Sequence, residues 1–249
     1  MPGSTRIIGS CLSPYVRKVL ACLEIKGVPY EIDPIIPFFG NDDFGRMSPL
    51  RRIPVLCDDA VTLSDSTLIC EYLNERYPNP PLLPDDAPLR ARARWFEEFA
   101  DTRMGDALIW HFYYQLVVRR VVWKEDPQDD IVQKAREEEI PAVLDYLESE
   151  LPVSGFLFGR LSIADITLAS FFRTASYAGY AIDEARWPKT AGLVTRTLAL
   201  PELEKLKKFE DVIMGTPVAE RKSRLKAAGA PLVAESVGMK DPVRGIMPL

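Results

Sequence analysis

Hydrophobic positions change their spacing near residue 80 of this chain. Before it the pattern alternates between strand and helix periods every few residues, and after it the period stays helical. Residues 5–9 read as a short strand. Pro14 then opens a helix whose apolar residues Val16, Val19, Leu20 and Leu23 share one face. Lys26 and Gly27 close it, one as a cation near the helix C-terminus, the other as a residue free to turn left-handed. Residues 28–33 alternate as a second strand, giving a βαβ unit with parallel strands. Residues 34–52 follow neither period, apart from one helical turn over 42–47. Residues 53–57 and 61–63 flank the turn Asp58-Asp59-Ala60 as a hairpin, and a helix over 66–76 buries Leu68, Ile69, Tyr72 and Leu73. Five prolines within 78–88 exclude both a helix interior and a central strand, so that stretch is a connector.

The second half reads differently. Over 89–124, Trp95, Phe96, Phe99, Leu108, Ile109, Phe112, Tyr113, Leu116 and Val117 keep the helical period. Straight, such a helix spans about 54 Å, so a bend is expected near Gly105. Asp126-Pro127 starts a helix running to about 151, with a kink expected at Pro141. Ser162 and Asp165 have the spacing of a reciprocal helix cap, and further helices fit 187–199 and 201–214. The tail after Thr216 carries six basic and three acidic residues and reads as a basic helix over 219–227, then coil. The expected layout is an α/β domain over 1–78, a Pro-rich linker over 79–88, an all-α domain over 89–216 and a C-terminal extension over 217–249.

Composition narrows the function. With 31 basic and 36 acidic residues the net charge is −5, which speaks against nucleic acid or an anionic membrane as the main partner. No apolar run approaches the roughly 20 residues of a membrane span, and the first ten residues lack the apolar stretch of a secretory signal. Cys11, Cys22, Cys57 and Cys70 form no CxxC pair and His111 is the one histidine, so no zinc site is expected. Free thiols suit a reducing compartment, and the chain is expected to be cytoplasmic.

Four stretches carry a resemblance: "SPYVRKV…KGVPYE", "SPLRRIPVL", "LSDSTLICEYL" and "GRLSIADITLA". In this order and spacing they resemble the cytosolic glutathione transferases, over most of residues 5–210. The resemblance implies a thioredoxin-like N-terminal domain, an all-helical C-terminal domain and a homodimer. It also implies glutathione as substrate, with no metal. Arg160 stands where the family commonly has aspartate. Serine at position 13 resembles the tau, theta and zeta type, although the longer zeta signature is missing. Glutaredoxin's CPYC falls on Ser13-Pro14-Tyr15-Val16, so both redox cysteines are absent.

The chemistry follows from residues. A thiol near a pKa of about 8.5 is a poor nucleophile until ionised. Lowering glutathione's pKa by about two units takes roughly 2.7 kcal/mol of preference for the thiolate. Ser13, just before Pro14, can donate its hydroxyl to the sulfur anion, or can simply cap the helix. Such a bond is worth about 1.5–3 kcal/mol, and the helix N-terminus adds about 0.3–1. Ser13 is the expected catalytic residue, with Cys11 as its rival. By resemblance, Ile53-Pro54 is the cis-proline pair whose backbone meets the cysteinyl part of glutathione. Asp65 and Ser66 take the γ-glutamyl ammonium and carboxylate at a helix start. Arg52 reaches for the glycine carboxylate. Leu12, Tyr15, Phe38, Trp110, His111 and Tyr114 are expected to supply an apolar wall for an electrophile. The expected activity is conjugation of glutathione to small apolar electrophiles. The alternatives are a glutathione-dependent thiol–disulfide oxidoreductase or dehalogenase, and a non-catalytic binding module on the same fold.

Overall fold

The computed structural model describes residues 5–217 and 220–244. The first two residues of the expected 219–227 helix straddle that gap, and its position 219 lies outside the described residues. Packing groups the chain into two compact units, one made of residues up to 80 together with those from 201 onward, the other of 81–200.

The first unit is built on four strands, β1 (Thr5–Ile8), β2 (Tyr30–Asp33), β3 (Val55–Cys57) and β4 (Thr62–Ser64), in the spatial order β2-β1-β3-β4. β1 and β2 run parallel, joined by helix α1 (Pro14–Lys26), as the sequence pattern predicts. β3 is antiparallel to both β1 and β4. The register places Asp33, Ile8, Val55 and Ser64 in one row across the sheet. That row matters, because the loops leaving or entering it all emerge at one end of the sheet. α1 ends at Gly27, which takes left-handed backbone at φ 64° and bonds the carbonyls of Leu23 and Glu24. Helix α2 (Asp42–Met47) interrupts the irregular stretch, capped by the Asn41 side chain, and helix α3 (Ser66–Arg76) follows β4. α3 buries Ile69 and Leu73 as expected, but Leu68 is 53% exposed.

Helix α4 (Ala87–Phe99) runs without a loop into a π-wound stretch over Ala100–Trp123, so the winding changes at Ala100 rather than near Gly105. At its end the amide of Lys124 reaches back five residues to the carbonyl of Arg119. Helix α5 (Asp129–Lys134) passes through a short π-wound turn, Ala135–Glu139, into α6 (Ile140–Glu150). Pro141 sits in the first turn of α6; lacking an N–H, it cannot continue the bonding of the turn before it. α7 (Ile163–Ser176) is the buried centre of this unit, packed on α4, the π-wound stretch and α8 (Pro188–Leu198).

Helix α9 (Pro201–Gly215), which the period alone groups with the helical domain, packs instead on α1. Its buried face is Leu203, Leu206, Phe209, Glu210 and Ile213, and Glu210 Oε1 accepts from Arg17 Nε at 2.6 Å with both side chains 1% exposed. A short helix α10 (Arg221–Ala227) follows. The chain then returns to the sheet: Ile32 N–H donates to the Pro231 carbonyl at 2.7 Å, and Val233 N–H to that of Ile32 at 3.1 Å. The tail thereby runs parallel along β2 on its outer side.

Candidate functional site

The sheet's register brings the first-unit residues singled out by sequence to one end. Ile8 leads into residues 9–13, Val55 follows the Ile53-Pro54 pair, and Ser64 precedes Asp65. Gly9 fixes the first of these loops. Its φ of +145° disfavours any side chain, and a Cβ there would lie 2.5 Å from Val16 Cγ2 and 3.0 Å from Ile53 Cβ. Close approach of the α1 loop to Ile53 therefore depends on the glycine.

Ser13 is the N-cap residue of α1, with extended backbone at φ −71°, ψ 130° and Pro14 next to it. Its hydroxyl makes no capping bond to the helix, while its amide donates to the Ser10 carbonyl at 3.0 Å. Capping, the rival role, is thus not what the hydroxyl does. Cys11 is 2% exposed. Burial pushes its thiol far up, the Glu210 carboxylate adds to that, and Arg17 only partly offsets it. A thiol held protonated is no nucleophile.

The Ile53-Pro54 peptide is cis. Just before it, Ser48 Oγ accepts from Arg52 N–H at 3.0 Å and donates to the Arg52 carbonyl at 2.8 Å, pinning that backbone while the Arg52 side chain stays exposed. Asp65 has φ +109°, a conformation costing on the order of 1–3 kcal/mol for a non-glycine residue. Its Oδ1 holds it there by accepting from the amides of Thr67 at 3.0 Å and Leu68 at 3.1 Å. Both bonds fall on one oxygen of the carboxylate. Ser66, beside it, is 3% exposed. Sequence reasoning missed Lys18, fully buried, whose ammonium donates to Thr67 Oγ1 at 3.0 Å and ties α1 to the start of α3. Its only sequence signal is its place on α1 five residues after Ser13.

Of the expected apolar wall, Leu12 and Tyr15 are partly exposed and Phe38 is buried, all in the first unit. Trp110, His111 and Tyr114 lie in the second. There the Trp110 and Tyr114 rings stand 5.9 Å apart, and Trp123 Nε1 donates to the Tyr114 hydroxyl at 3.1 Å. His111 Nδ1 is 2.6 Å from Glu139 Oε2. Burial raises the Glu139 carboxyl, but the bond to His111 and the charges of Lys134 and Arg103 outweigh it and hold Glu139 below its usual range. Arg160 donates to the Leu83 carbonyl at 3.2 Å and lies 3.3 Å from Asp85, joining the loop before α7 to the start of the unit. Among the described residues no cluster of His, Cys, Asp or Glu has the makings of a metal site, and no helix is long and apolar enough to cross a membrane.

The glutathione S-transferase N-terminal domain family matches residues 7–81, and the glutathione S-transferase C-terminal domain family matches 129–196. Glutathione S-transferase U7 of Arabidopsis thaliana is 30% identical over 186 residues, 70% of this chain and 73% of that one. The chain belongs to the glutathione S-transferase family. This transferase-family chain is also 42% identical over 80 residues to a stringent starvation protein A homologue of Haemophilus ducreyi, a match spanning 32% of this chain and only 37% of that protein's length. A glutathione S-transferase structure from Rhodospirillum rubrum aligns with a TM-score of 0.75 at 28% identity, covering 81% of this chain and 91% of that one. One from Methylobacterium radiotolerans, in complex with glutathione sulfonate, aligns with a TM-score of 0.68 at 25% identity, covering 96% and 99%. The family fold, a four-stranded sheet domain of thioredoxin type with a helical domain, accounts for the architecture described above.

Proposed function

We propose that the chain is a glutathione transferase that joins the glutathione thiolate to small apolar electrophiles. The observation that carries this reading is the Ser13 hydroxyl, which stands at the N-terminus of α1 without a capping bond. A hydroxyl donor to a sulfur anion, worth about 1.5–3 kcal/mol, and the helix end, worth about 0.3–1, together cover the roughly 2.7 kcal/mol required. The glutathione thiol gives its proton to solvent, its sulfur forms a bond to the electrophilic carbon, and the leaving group departs with the electron pair. Asp65 Oδ2 and Ser66 address the γ-glutamyl charges, the backbone of Ile53 before cis-Pro54 the cysteinyl unit, and Arg52 the glycine carboxylate. Leu12 and Tyr15, both partly exposed on the first unit, supply apolar surface for the electrophile. The absence of cysteine at position 13 argues against the thiol–disulfide alternative.

The setting in this reading is cytoplasmic detoxification by a homodimer. A non-catalytic binding module on the same fold is the second reading. The similarity of 80 residues to a protein named for stringent starvation, rather than for a transferase, favours it. Titration with glutathione, followed by turnover of a chloronitrobenzene, separates the two. The transferase reading requires both binding and product; binding without turnover of any electrophile supports the module, and no binding overturns the site.

A further inference from the structure

The C-terminal tail is built into the same end of the sheet as the candidate site. Asp33 closes the row Asp33–Ile8–Val55–Ser64, and its carboxylate is the tail's anchor. Oδ1 accepts from Ser236 Oγ at 2.7 Å, and Oδ2 accepts from Val237 N–H at 2.8 Å. Arg6 completes the anchor, donating to Asp33 Oδ2 at 3.3 Å and to the Glu235 carbonyl at 3.1 Å. The Asp33 carbonyl accepts from Gly9 N–H at 2.8 Å, in the loop that leads to Ser13.

From this anchor the tail straps the segment after β2. Asn41 N–H donates to the Val237 carbonyl at 3.0 Å, Met239 N–H to that of Phe39 at 2.7 Å, and Val243 N–H to that of Phe38 at 2.8 Å. Gly238 pairs with Gly40 as an antiparallel bridge. The strapped carbonyls of Gly40 and Asn41 in turn accept from Arg51 Nη1 at 3.0 and 3.4 Å. Arg51 sits in left-handed backbone at φ 52°, immediately before Arg52. The Val237 side chain is 8% exposed and clusters with Ile8, Phe44 and Val55, against which Ile53 packs. Two physical routes therefore lead from the tail to residues 52 and 53, one through hydrogen bonds and Arg51, the other through the Val237 methyls and Ile53.

We propose that Val237 and the strap it anchors are positioning elements for the glycyl end of glutathione, setting how well the Arg52–Ile53 backbone and the Arg52 side chain meet that part of the tripeptide. This rests on the glutathione reading above. In that reading the γ-glutamyl end is held by Asp65 and Ser66, which follow β4 at the opposite edge of the sheet from β2 and the tail. The strap thus acts on discrimination between glutathione and its truncated form, γ-glutamylcysteine, rather than on binding in general.

The test is isothermal titration of the full chain with both peptides, comparing wild type with Val237→Ala, Ser236→Ala and Ser236→Thr. A contact network of this kind shifts affinity by about three- to tenfold. Val237→Ala and Ser236→Ala are expected to lose that much affinity for glutathione while keeping γ-glutamylcysteine affinity within about twofold, and Ser236→Thr, which keeps the hydroxyl, to restore the wild-type ratio. In the same variants the Asn41 amide exchanges with solvent faster. Equal losses for both peptides, or an unchanged ratio in both alanine variants, overturns the positioning role. If Val237→Ala does not fold, Ser236→Ala, a surface change that leaves the Val237 cluster intact, decides the matter alone. Absence of glutathione binding by the wild type overturns the underlying reading instead.

Discussion

Helices α1 and α7 each have a serine as N-cap residue, and the two side chains are held differently. At the start of α7, Ser162 is 2% exposed and its hydroxyl donates to Asp165 Oδ2 at 2.6 Å. The same carboxylate accepts from the Ser162 amide at 2.8 Å, while its other oxygen accepts from the Leu157 amide at 2.9 Å. Every polar group there is committed inside the protein. At the start of α1, Ser13 is partly exposed and its hydroxyl makes no capping bond. The Ser13 side chain is thus not tied to the end of its helix. The first serine is locked into its helix cap, and the second is the one proposed for the chemistry.

The largest effect that can break this comparison is on the α7 side. Asp165→Ala strands two buried donors on Ser162, each worth about 1–3 kcal/mol when left unpaired, and the part-buried Leu157 amide. A loss of several kcal/mol in urea unfolding, with a thermal midpoint lowered by more than about 10 °C, is expected. Ser13→Ala removes no internal bond and should leave stability within about 0.5 kcal/mol. Comparable destabilisation in both variants would mean that Ser13 caps α1 after all.

A smaller effect sharpens the site itself. Asp65→Asn keeps an oxygen to accept from Thr67 and Leu68 but removes the charge offered to the γ-glutamyl ammonium. Glutathione affinity should fall about tenfold or more, with the KM of the electrophile nearly unchanged. Unchanged titration isotherms would place the γ-glutamyl end elsewhere.

The sheet end of this site is legible in the sequence because local signals carry it. Alternating apolar residues mark the strands, Pro14 and Gly27 bound α1, and the turn at Asp58-Asp59-Ala60 aligns Val55 with Ser64. The packing of α9 is not legible. Arg17 carries no local signal of its burial, because its partner Glu210 lies 193 residues away. The strap fails for a related reason: residues 230–239 have no period of their own, since their hydrogen bonds are completed by β2 and by residues 38–41. The π-wound stretch and the exposure of Leu68 escape periodicity too, because both depend on what packs beside the helix.

Smaller again is a pH effect in the helical unit. Glu139 is held below its usual value in the folded chain, so its stabilisation is complete above the unfolded value near 4.5 and is lost as pH falls through the lower folded value. Glu139→Gln should therefore lower the thermal midpoint by a few degrees at pH 6 and leave it closer to wild type in acid. A difference that grows as pH falls would contradict the His111–Glu139 assignment. The smallest effect is a null one. Cys11, buried and held protonated, should resist alkylation at pH 8 in the native chain, and Cys11→Ala should leave turnover unchanged.

The central claim is that the Ser13 hydroxyl stabilises the thiolate of bound glutathione. Titrating the ultraviolet absorbance of that thiolate against pH, in wild type and in Ser13→Ala, measures the stabilisation directly. A bound thiol pKa about two units below that of free glutathione in the wild type, rising by about one to two units in the variant, is the expected result. Identical pKa values in the two proteins, with glutathione bound to both, would contradict it.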